Sequence, residues 1–344
     1  MRKLYTFWES VPDFKRVPDE VYQPADDAAH PSPAEGYFEW WYLDASFDSG
    51  HTFSASIQAR NFMNPGHPNP FIMLNVTTPE GKMISRGEAY EFSDFKAALD
   101  HCSVRMGKNR LEKEGKGLRL QVEIHDLKAD LVFTPNCPSW KPGCGKIRFD
   151  DGEKHFGWNV NMPGAEVRGT LGIKGSETAV SGAGYHDHNF GNCNMAEFFP
   201  RWYWGRFSAG KYIGVFADVY GDEGFGAKHS RPFLIARSDE VVLSTEQVDF
   251  IPEYFKYDPR PKRDYPTVMT MKVYGGSPVT VRIFNSVLME SRFVPADTIE
   301  SLGYKTEQVG MPAYVRMNAE CVLELPFEKE PITGKVVHEL MVFR

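Results

Sequence analysis

Apolar and polar side chains alternate along several short stretches of this chain. Leu118-Arg119-Leu120-Gln121-Val122-Glu123-Ile124 does so without a break, and Val167 to Ile173 and Val279 to Phe284 keep the same period. A period of two belongs to an extended strand with one face on a core and the other turned away. Turn residues punctuate these runs at Pro79-Glu80-Gly81, Gly275-Gly276 and Thr333-Gly334. A period of 3.6 is hard to find, and only Ser93 to Cys102 and Ala296 to Leu302 predict short helices. Proline-rich stretches at 64–70, 135–142 and 259–266 predict loops long enough to act as rims or lids. The pattern predicts an all-β protein whose antiparallel sheets close or curl, because that is how such sequences deal with exposed strand edges.

One pattern occurs twice. Glu39-Trp40-Trp41-Tyr42-Leu43-Asp44-Ala45-Ser46-Phe47 leads through Asp48-Ser49-Gly50-His51 into Thr52-Phe53, an aromatic strand, a turn and a second strand. Arg201-Trp202-Tyr203-Trp204-Gly205-Arg206-Phe207-Ser208-Ala209 leads through Gly210-Lys211 into Tyr212-Ile213 in the same way. Trp40 and Trp202 stand 162 residues apart, close to half of the 344-residue chain. This spacing predicts a duplication, with domains over 1–195 and 196–344. The length also suits two domains of ordinary size.

Composition narrows the function classes. Apolar residues make 42% of the chain and charged ones 25%, the balance of a soluble globular protein. The net charge of −7 argues against nucleic acid, which asks for a basic stripe, and Arg260-Pro261-Lys262-Arg263 is too brief to be one. Aromatic residues reach 14%, with 25 Phe, 15 Tyr and 7 Trp, which suits strands around an apolar cavity. No apolar run reaches the ~18 residues of a membrane span, and the first ten residues meet Glu9 before any signal-like apolar stretch develops. Five scattered cysteines, at 102, 137, 144, 193 and 321, predict free thiols and a cytoplasmic location. A Cys137–Cys144 disulfide or zinc half-site is the alternative.

The densest chemistry is Gly184-Tyr185-His186-Asp187-His188-Asn189-Phe190-Gly191. On an extended segment Tyr185, Asp187 and Asn189 share one face, and His186 and His188 share the other. An acid supported by a phenol and an amide could hand a proton to a substrate, with the histidines bonded into the neighbouring wall. The same residues could instead form a buried hydrogen-bond network that only holds the fold together. A third reading is a metal, because His-X-His presents both imidazoles on one side. The next acid after the motif is Glu197, nine residues beyond His188, so a third ligand is missing and no metal is expected. Glu39 reads either as a pocket acid or as a salt-bridged strand end. No phosphate-cradling loop, nucleophile elbow or nicotinamide fingerprint occurs, so no cofactor is expected.

The motif resembles the Tyr-His-Asp-His-Asn-Trp-Gly signature of the carotenoid 1,2-hydratase (hydroxyneurosporene synthase) and AttH-like superfamily. Three further pieces agree: Glu39-Trp40-Trp41-Tyr42, Gly157-Trp158-Asn159-Val160-Asn161-Met162-Pro163 with Val167 and Gly169, and Trp202-Tyr203-Trp204-Gly205. Together they cover roughly residues 35 to 210. The resemblance implies two consecutive lipocalin-like (calycin-type) antiparallel β-barrel domains with a pocket near their junction. It implies a cofactor-independent hydratase or cyclase that protonates an alkene of an apolar isoprenoid or polyene. A lipocalin-like pericyclase and a non-catalytic carrier of an apolar ligand are the alternatives.

Carried onto this chain, the resemblance gives Tyr185 and Asp187 as catalytic, Asp187 being the proton donor, with His186 and His188 beside them. Trp158 matches a pocket tryptophan. Phe156 stands where the family has a histidine, with His155 next to it, and Phe190 stands in place of a tryptophan. Trp40, Trp41, Tyr42 and Glu39 of the first hairpin, Phe156 and Asn189, and Trp202 and Trp204 of the second hairpin complete the expected substrate wall. The expected partner is a small apolar molecule, taken up through brief contact with a membrane surface. No nucleic acid is expected.

Overall fold

The computed structural model describes residues 2–34, 36–60, 68–276, 278–293 and 312–343. These residues form two compact units. One comprises Asp19–Lys146 and Lys154–Cys193; the other comprises Met1–Pro18, Ile147–Glu153 and Asn194–Arg344. The all-β expectation is met: the described helices are single turns or little more, such as Pro24–Asp27 and Met195–Phe198. No helix among the described residues is long and apolar enough to cross a membrane.

The sheet of the first unit runs, strand beside strand, Met83–Ala89, Phe71–Thr77, Thr52–Arg60, Phe38–Phe47, Ser176–Gly191 and Lys154–Ile173. It continues through Leu127–Pro135, Gly117–Ile124, Asn109–Glu114, Ser103–Met106 and Phe95–Ala97. The sheet of the second unit runs Glu240–Thr245, Phe233–Arg237, Tyr212–Tyr220, Arg201–Ala209, Ile332–Val342, Ala313–Glu324, Val279–Phe293, Arg263–Val273 and Val248–Asp258. In each sheet the repeated hairpin supplies the third and fourth strands. In each, the fifth strand is the last of its unit in sequence and pairs antiparallel with the hairpin.

Alternation places the cores. Trp41, Leu43, Ala45 and Phe47 are buried on one face of the first sheet, against Leu74, Leu120, Phe133 and Val167. Tyr203, Phe207 and Ala209 do the same in the second, with Val315, Met317 and Leu340. Burying a Leu or Phe side chain contributes about 1.5–3 kcal/mol each, so these faces fix the register of every strand that carries them.

Two local features shape the motif strand. Gly184 and Gly191 bound the motif because nothing larger fits. A Cβ at Gly184 would lie 2.5 Å from Val167 Cγ2 and 2.7 Å from the Asp44 carbonyl oxygen, and one at Gly191 would lie 2.5 Å from the His155 carbonyl oxygen. The neighbouring strand Lys154–Ile173 slips register on both sides of Met162, next to Pro163, which has no N–H for the ladder.

Some expectations need correction. Ser93–Cys102 is not a helix. One 3₁₀ turn, Phe92–Asp94, gives way to the strand Phe95–Ala97, which pairs with Val104, Arg105 and Met106, because Phe95 and Ala97 recur at strand rather than helix spacing. The 259–266 loop is shorter than its proline content suggests, since strand resumes at Arg263. Ala296–Leu302, and residues 64–67 of the first proline-rich stretch, lie outside the described residues.

Candidate active site

The motif strand divides its side chains between two faces as its alternation requires. His186 and His188 turn to the core side. His186 Nδ1 lies 2.8 Å from the Tyr42 carbonyl oxygen, and its Nε2 lies 3.1 and 3.0 Å from the two oxygens of Asp27. The Tyr42 carbonyl can only accept, so Nδ1 carries its hydrogen, and a charged ring also donates from Nε2 to the Asp27 carboxylate. Burial disfavours that charge, but the Asp27 carboxylate more than offsets it and holds the His186 pKa above its usual value. Burial likewise pushes Asp27 up, while the charge and hydrogen bond of His186 prevail and hold it below the usual carboxylate range.

His188 is bound in parallel. Its Nε2 lies 2.9 Å from Glu39 Oε1, its Nδ1 lies 3.3 Å from the Asp26 carbonyl oxygen, and its ring stacks on Trp41 at 4.5 Å. Glu39 also accepts from the His30 backbone N–H at 2.7 Å and from the Tyr37 hydroxyl. Burial alone would raise Glu39, but these hydrogen bonds, led by that of His188, lower its pKa to about 2. The turn Pro24–Asp27 is in turn pinned by Asn161 Nδ2, which donates to Asp27 Oδ2 at 2.7 Å, and by Asn159 Nδ2, which donates to the Asp26 carbonyl at 2.9 Å.

The opposite face carries Asp187. Trp158 Nε1 and the Tyr185 hydroxyl each donate to Asp187 Oδ2 at 2.8 Å, and Asn189 Nδ2 donates to Oδ1 at 2.9 Å. The four side chains are 6% exposed or less. Oδ2 thus accepts from two donors and Oδ1 from one. Across the strand pair, Asp187 stands opposite Tyr42 and Tyr185 stands opposite Asp44. Tyr42 donates to Asp44 Oδ2 at 3.0 Å, and its ring lies 6.3 Å from that of Tyr185. Asp44 is buried, which puts a second carboxyl group on the Asp187 face.

The sequence-expected residues thus fall into separate groups. Tyr185, Asp187, Asn189 and Trp158 come together, with Tyr42 opposite. Trp40 and Phe156 group with Phe38, at ring separations of 5.4 Å for Trp40–Phe38 and 5.8 Å for Phe156–Phe38. His186, His188, Glu39 and Trp41 belong to the core-side network and are separated from Asp187 by the sheet itself. Trp41 is fully buried and donates through Nε1 to the Asp27 carbonyl at 3.0 Å, which makes it a core residue rather than a substrate wall. Phe190 stacks on His30 on that same side, at 3.8 Å. Trp202 and Trp204 lie in the sheet of the second unit, on the face away from its core.

Asp27, His30, Asp44 and Cys102 were not expected from the sequence. Asp44 could have been found, because it follows Tyr42 by two residues on a strand already read as pocket wall. Among the described residues, two sets of side chains have donor atoms close enough for a metal ion, Asp27–Cys102–His186 and His30–Glu39–His188. The missing third ligand of the sequence reading is therefore supplied by residues far upstream. However, both nitrogens of each motif histidine already face oxygen acceptors, so an ion at either place would displace hydrogen bonds. All five cysteines are free thiols.

Comparison with known proteins follows the same lines. The family model described as carotenoid hydratase CrtC matches residues 66–242, just over half of the chain and including Trp158, the whole motif and Trp202–Trp204. A hydroxyneurosporene dehydrogenase of Chlorobaculum tepidum is 42% identical over 218 residues, covering 52% of this chain and 56% of that one. A quinolone epoxide rearrangement protein of Emericella nidulans is 24% identical over 208 residues, covering 54% and 55%. The chain spans little more than half the length of either relative. Among solved structures, an AttH-type protein of Nitrosomonas europaea superposes with a TM-score of 0.64 at 15% identity, over 95% of this chain and 99% of that one. That likeness shows the fold, two antiparallel lipocalin-like sheets.

Proposed function

The chain belongs to the carotenoid hydratase CrtC family, and on that footing we propose that it protonates an alkene of an apolar isoprenoid or polyene and completes the reaction by hydration or cyclisation. The observation that carries this reading is the convergence of Trp158, Tyr185 and Asn189 on Asp187, on a face that the motif histidines do not share. Fixing one carboxyl group with three donors orients a single oxygen, Oδ1, for proton transfer.

Addition of water to an isolated alkene begins with a proton on carbon and leaves a carbocation. In this reading Asp187 Oδ1–H protonates one alkene carbon, and the π electrons form the new C–H bond. The cation on the neighbouring carbon is held by aromatic faces, at ~1–2 kcal/mol each when desolvated, with Trp158, Tyr42 and Trp40 in position on this face. Water then attacks the cation and gives up a proton to Asp44, the second carboxyl group. Asp44 then releases its proton to solvent and solvent returns one to Asp187, so the balance is one water added. Cyclisation differs only in the last bond, where an internal alkene meets the cation and a proton leaves from carbon. No cofactor enters any step. Asp44 takes the acid–base role left vacant by Phe156.

The test is turnover of a panel of acyclic polyenes, lycopene among them, in heavy water. Deuterium should appear at one carbon of the product, and Asp187→Asn should lower the rate at least ~10²-fold, the scale of general acid catalysis. Product formed without deuterium at carbon would point to a pericyclase, and ligands bound and released unchanged would point to a carrier.

A further inference from the structure

The second sheet carries a carboxyl group at the position that Asp187 holds in the first. In strand order, Phe38–Phe47 and Arg201–Ala209 are each fourth, Ser176–Gly191 and Ile332–Val342 fifth, and Lys154–Ile173 and Ala313–Glu324 sixth. Trp40 and Trp202 mark the repeated hairpin; two residues beyond them, Tyr42 pairs with Asp187 and Trp204 pairs with Glu339. The donor on the sixth strand corresponds as well. Trp158, opposite Asn189, donates to Asp187, and Tyr314, opposite Met341, donates to Glu339 Oε2 at 2.6 Å. Asn189 and Met341 each lie two residues past the carboxyl group. Strand, register and donor agree, and both carboxyl groups lie on the face away from their sheet's hydrophobic core.

Around Glu339 the chemistry differs from that around Asp187. Trp202 Nε1 donates to Glu339 Oε1 at 3.4 Å, and Arg316 stands directly opposite Glu339 on the next strand, with Nη1 donating to the Tyr314 hydroxyl at 3.4 Å. Glu290 stands opposite Arg316 on the strand after that and is ion-paired with Arg292. Burial pushes the Glu339 carboxyl above the ordinary range, and the Arg316 charge opposes that only in part. A carboxyl group that keeps its proton is a hydrogen-bond donor. Here it sits among a hydroxyl, an indole N–H and a guanidinium, with Met341 and Phe343 adjoining; the Trp202 ring meets Phe343 edge-on at 5.3 Å. The hydroxyl and the indole N–H are both spent on the two Glu339 oxygens, which holds the carboxyl group in place and leaves its own O–H as the donor offered to a ligand in an apolar frame. That arrangement fits a ligand atom that accepts hydrogen bonds and carries no charge.

We propose that Glu339, Tyr314 and Trp202 form a second recognition site, in the second unit, that holds the carbonyl or hydroxyl oxygen of an otherwise apolar ligand. The site does not depend on proton transfer by Asp187 and goes beyond that reading.

The probe is farnesylacetone, compared with the same chain carrying a methylene in place of the carbonyl. Binding to the full-length protein is read by quenching of tryptophan fluorescence. The wild-type protein should prefer the ketone by about 10-fold, the scale of one buried hydrogen bond. Glu339→Leu should abolish that preference while keeping hydrocarbon affinity within about twofold, and Glu339→Gln, which keeps an N–H donor, should retain most of it. Asp187→Asn should leave the preference intact whatever it does to turnover. Equal binding of the two probes by wild type, an unchanged preference in folded Glu339→Leu, or loss of the preference in Asp187→Asn would each overturn the proposal. Should Glu339→Leu fail to fold by circular dichroism, Tyr314→Phe decides in its place: a reduced ketone preference supports the site, and a wild-type preference overturns it.

Discussion

Asp27 and His186 are 159 residues apart in sequence, yet both oxygens of the one lie within 3.1 Å of Nε2 of the other. The pair is buried, and it ties the turn ahead of the first hairpin to the middle of the motif strand. Removing one partner of such a pair leaves a charge buried without compensation, which costs about 3–5 kcal/mol. Asp27→Asn should therefore lower the urea midpoint substantially while leaving the slope of the transition unchanged. Asp27 has a depressed pKa, so its contribution is full above its ordinary 3.8 and is lost as pH falls through the folded value. His186 has a raised pKa, so its contribution is full below its ordinary 6.5 and is lost as pH rises through the folded value. The stability gap between wild type and Asp27→Asn should thus be widest between about pH 4 and 6.5 and narrow on both sides. A gap that stays flat from pH 3 to 9 would contradict the pairing.

Much of this architecture is legible in the sequence because it depends on alternation. Leu118–Ile124 and Val279–Phe284 are strands, the two tryptophan hairpins occupy matching places in two sheets, and the motif splits its side chains between faces as a strand must. Long-range partners are a different matter. Nothing near His186 or His188 in sequence announces Asp27 or Glu39, since their meeting depends on which strands become neighbours. Trp41 turns to the core for a related reason: a bulge between Glu39 and Trp40 sets the register of that strand, and the core claims one tryptophan of the pair. Glu339 sits on the last strand with no motif around it, so only the register reveals it.

Asp44 makes a separable prediction. If it receives the proton from attacking water, Asp44→Asn should stop hydration without stopping the first proton transfer. Substrate recovered from heavy water should then carry deuterium, because the cation can return its proton or deuteron to Asp187. Hydrated product should fall by at least ~10². If product and exchange instead fall together by the same factor, Asp44 acts before protonation or only supports the fold.

The thiols differ in their surroundings and should differ in reactivity. Cys102, Cys137, Cys193 and Cys321 are buried, whereas Cys144 is partly exposed. Burial pushes Cys137 up to about 11 and Cys321 up to about 12, which leaves little thiolate to react near neutral pH. Native protein treated with a thiol-specific disulfide reagent at pH 8 should titrate one thiol quickly, and Cys144→Ser should remove that reaction. Full denaturation should expose all five. Fewer than five under non-reducing denaturing conditions would mean that a disulfide forms.

The segment Met1–Pro18 belongs with Asn194–Arg344 despite the distance in sequence. Leu4, Tyr5, Phe7 and Trp8 are each at most 2% exposed. Leu4 and Tyr5 pair with Phe149 and Arg148, while the Arg2 guanidinium lies over the rings of Phe198 and Phe225 at 4.6 and 4.4 Å. Lys228 Nζ donates to both oxygens of Glu9, at 2.8 and 2.6 Å, and to the Leu4 carbonyl at 3.0 Å. Four buried side chains at about 1.5–3 kcal/mol each approach the whole stability of an ordinary domain. The ion pair, being partly exposed, contributes about 1 kcal/mol or less. A protein lacking residues 1–18 should therefore expose Phe149, Phe198 and Phe225 and become sensitive to protease within 194–344, while 19–146 stays protected. Lys228→Ala should shift the melting temperature only slightly. Identical melting and digestion patterns with and without residues 1–18 would show that the segment merely rests on the second unit.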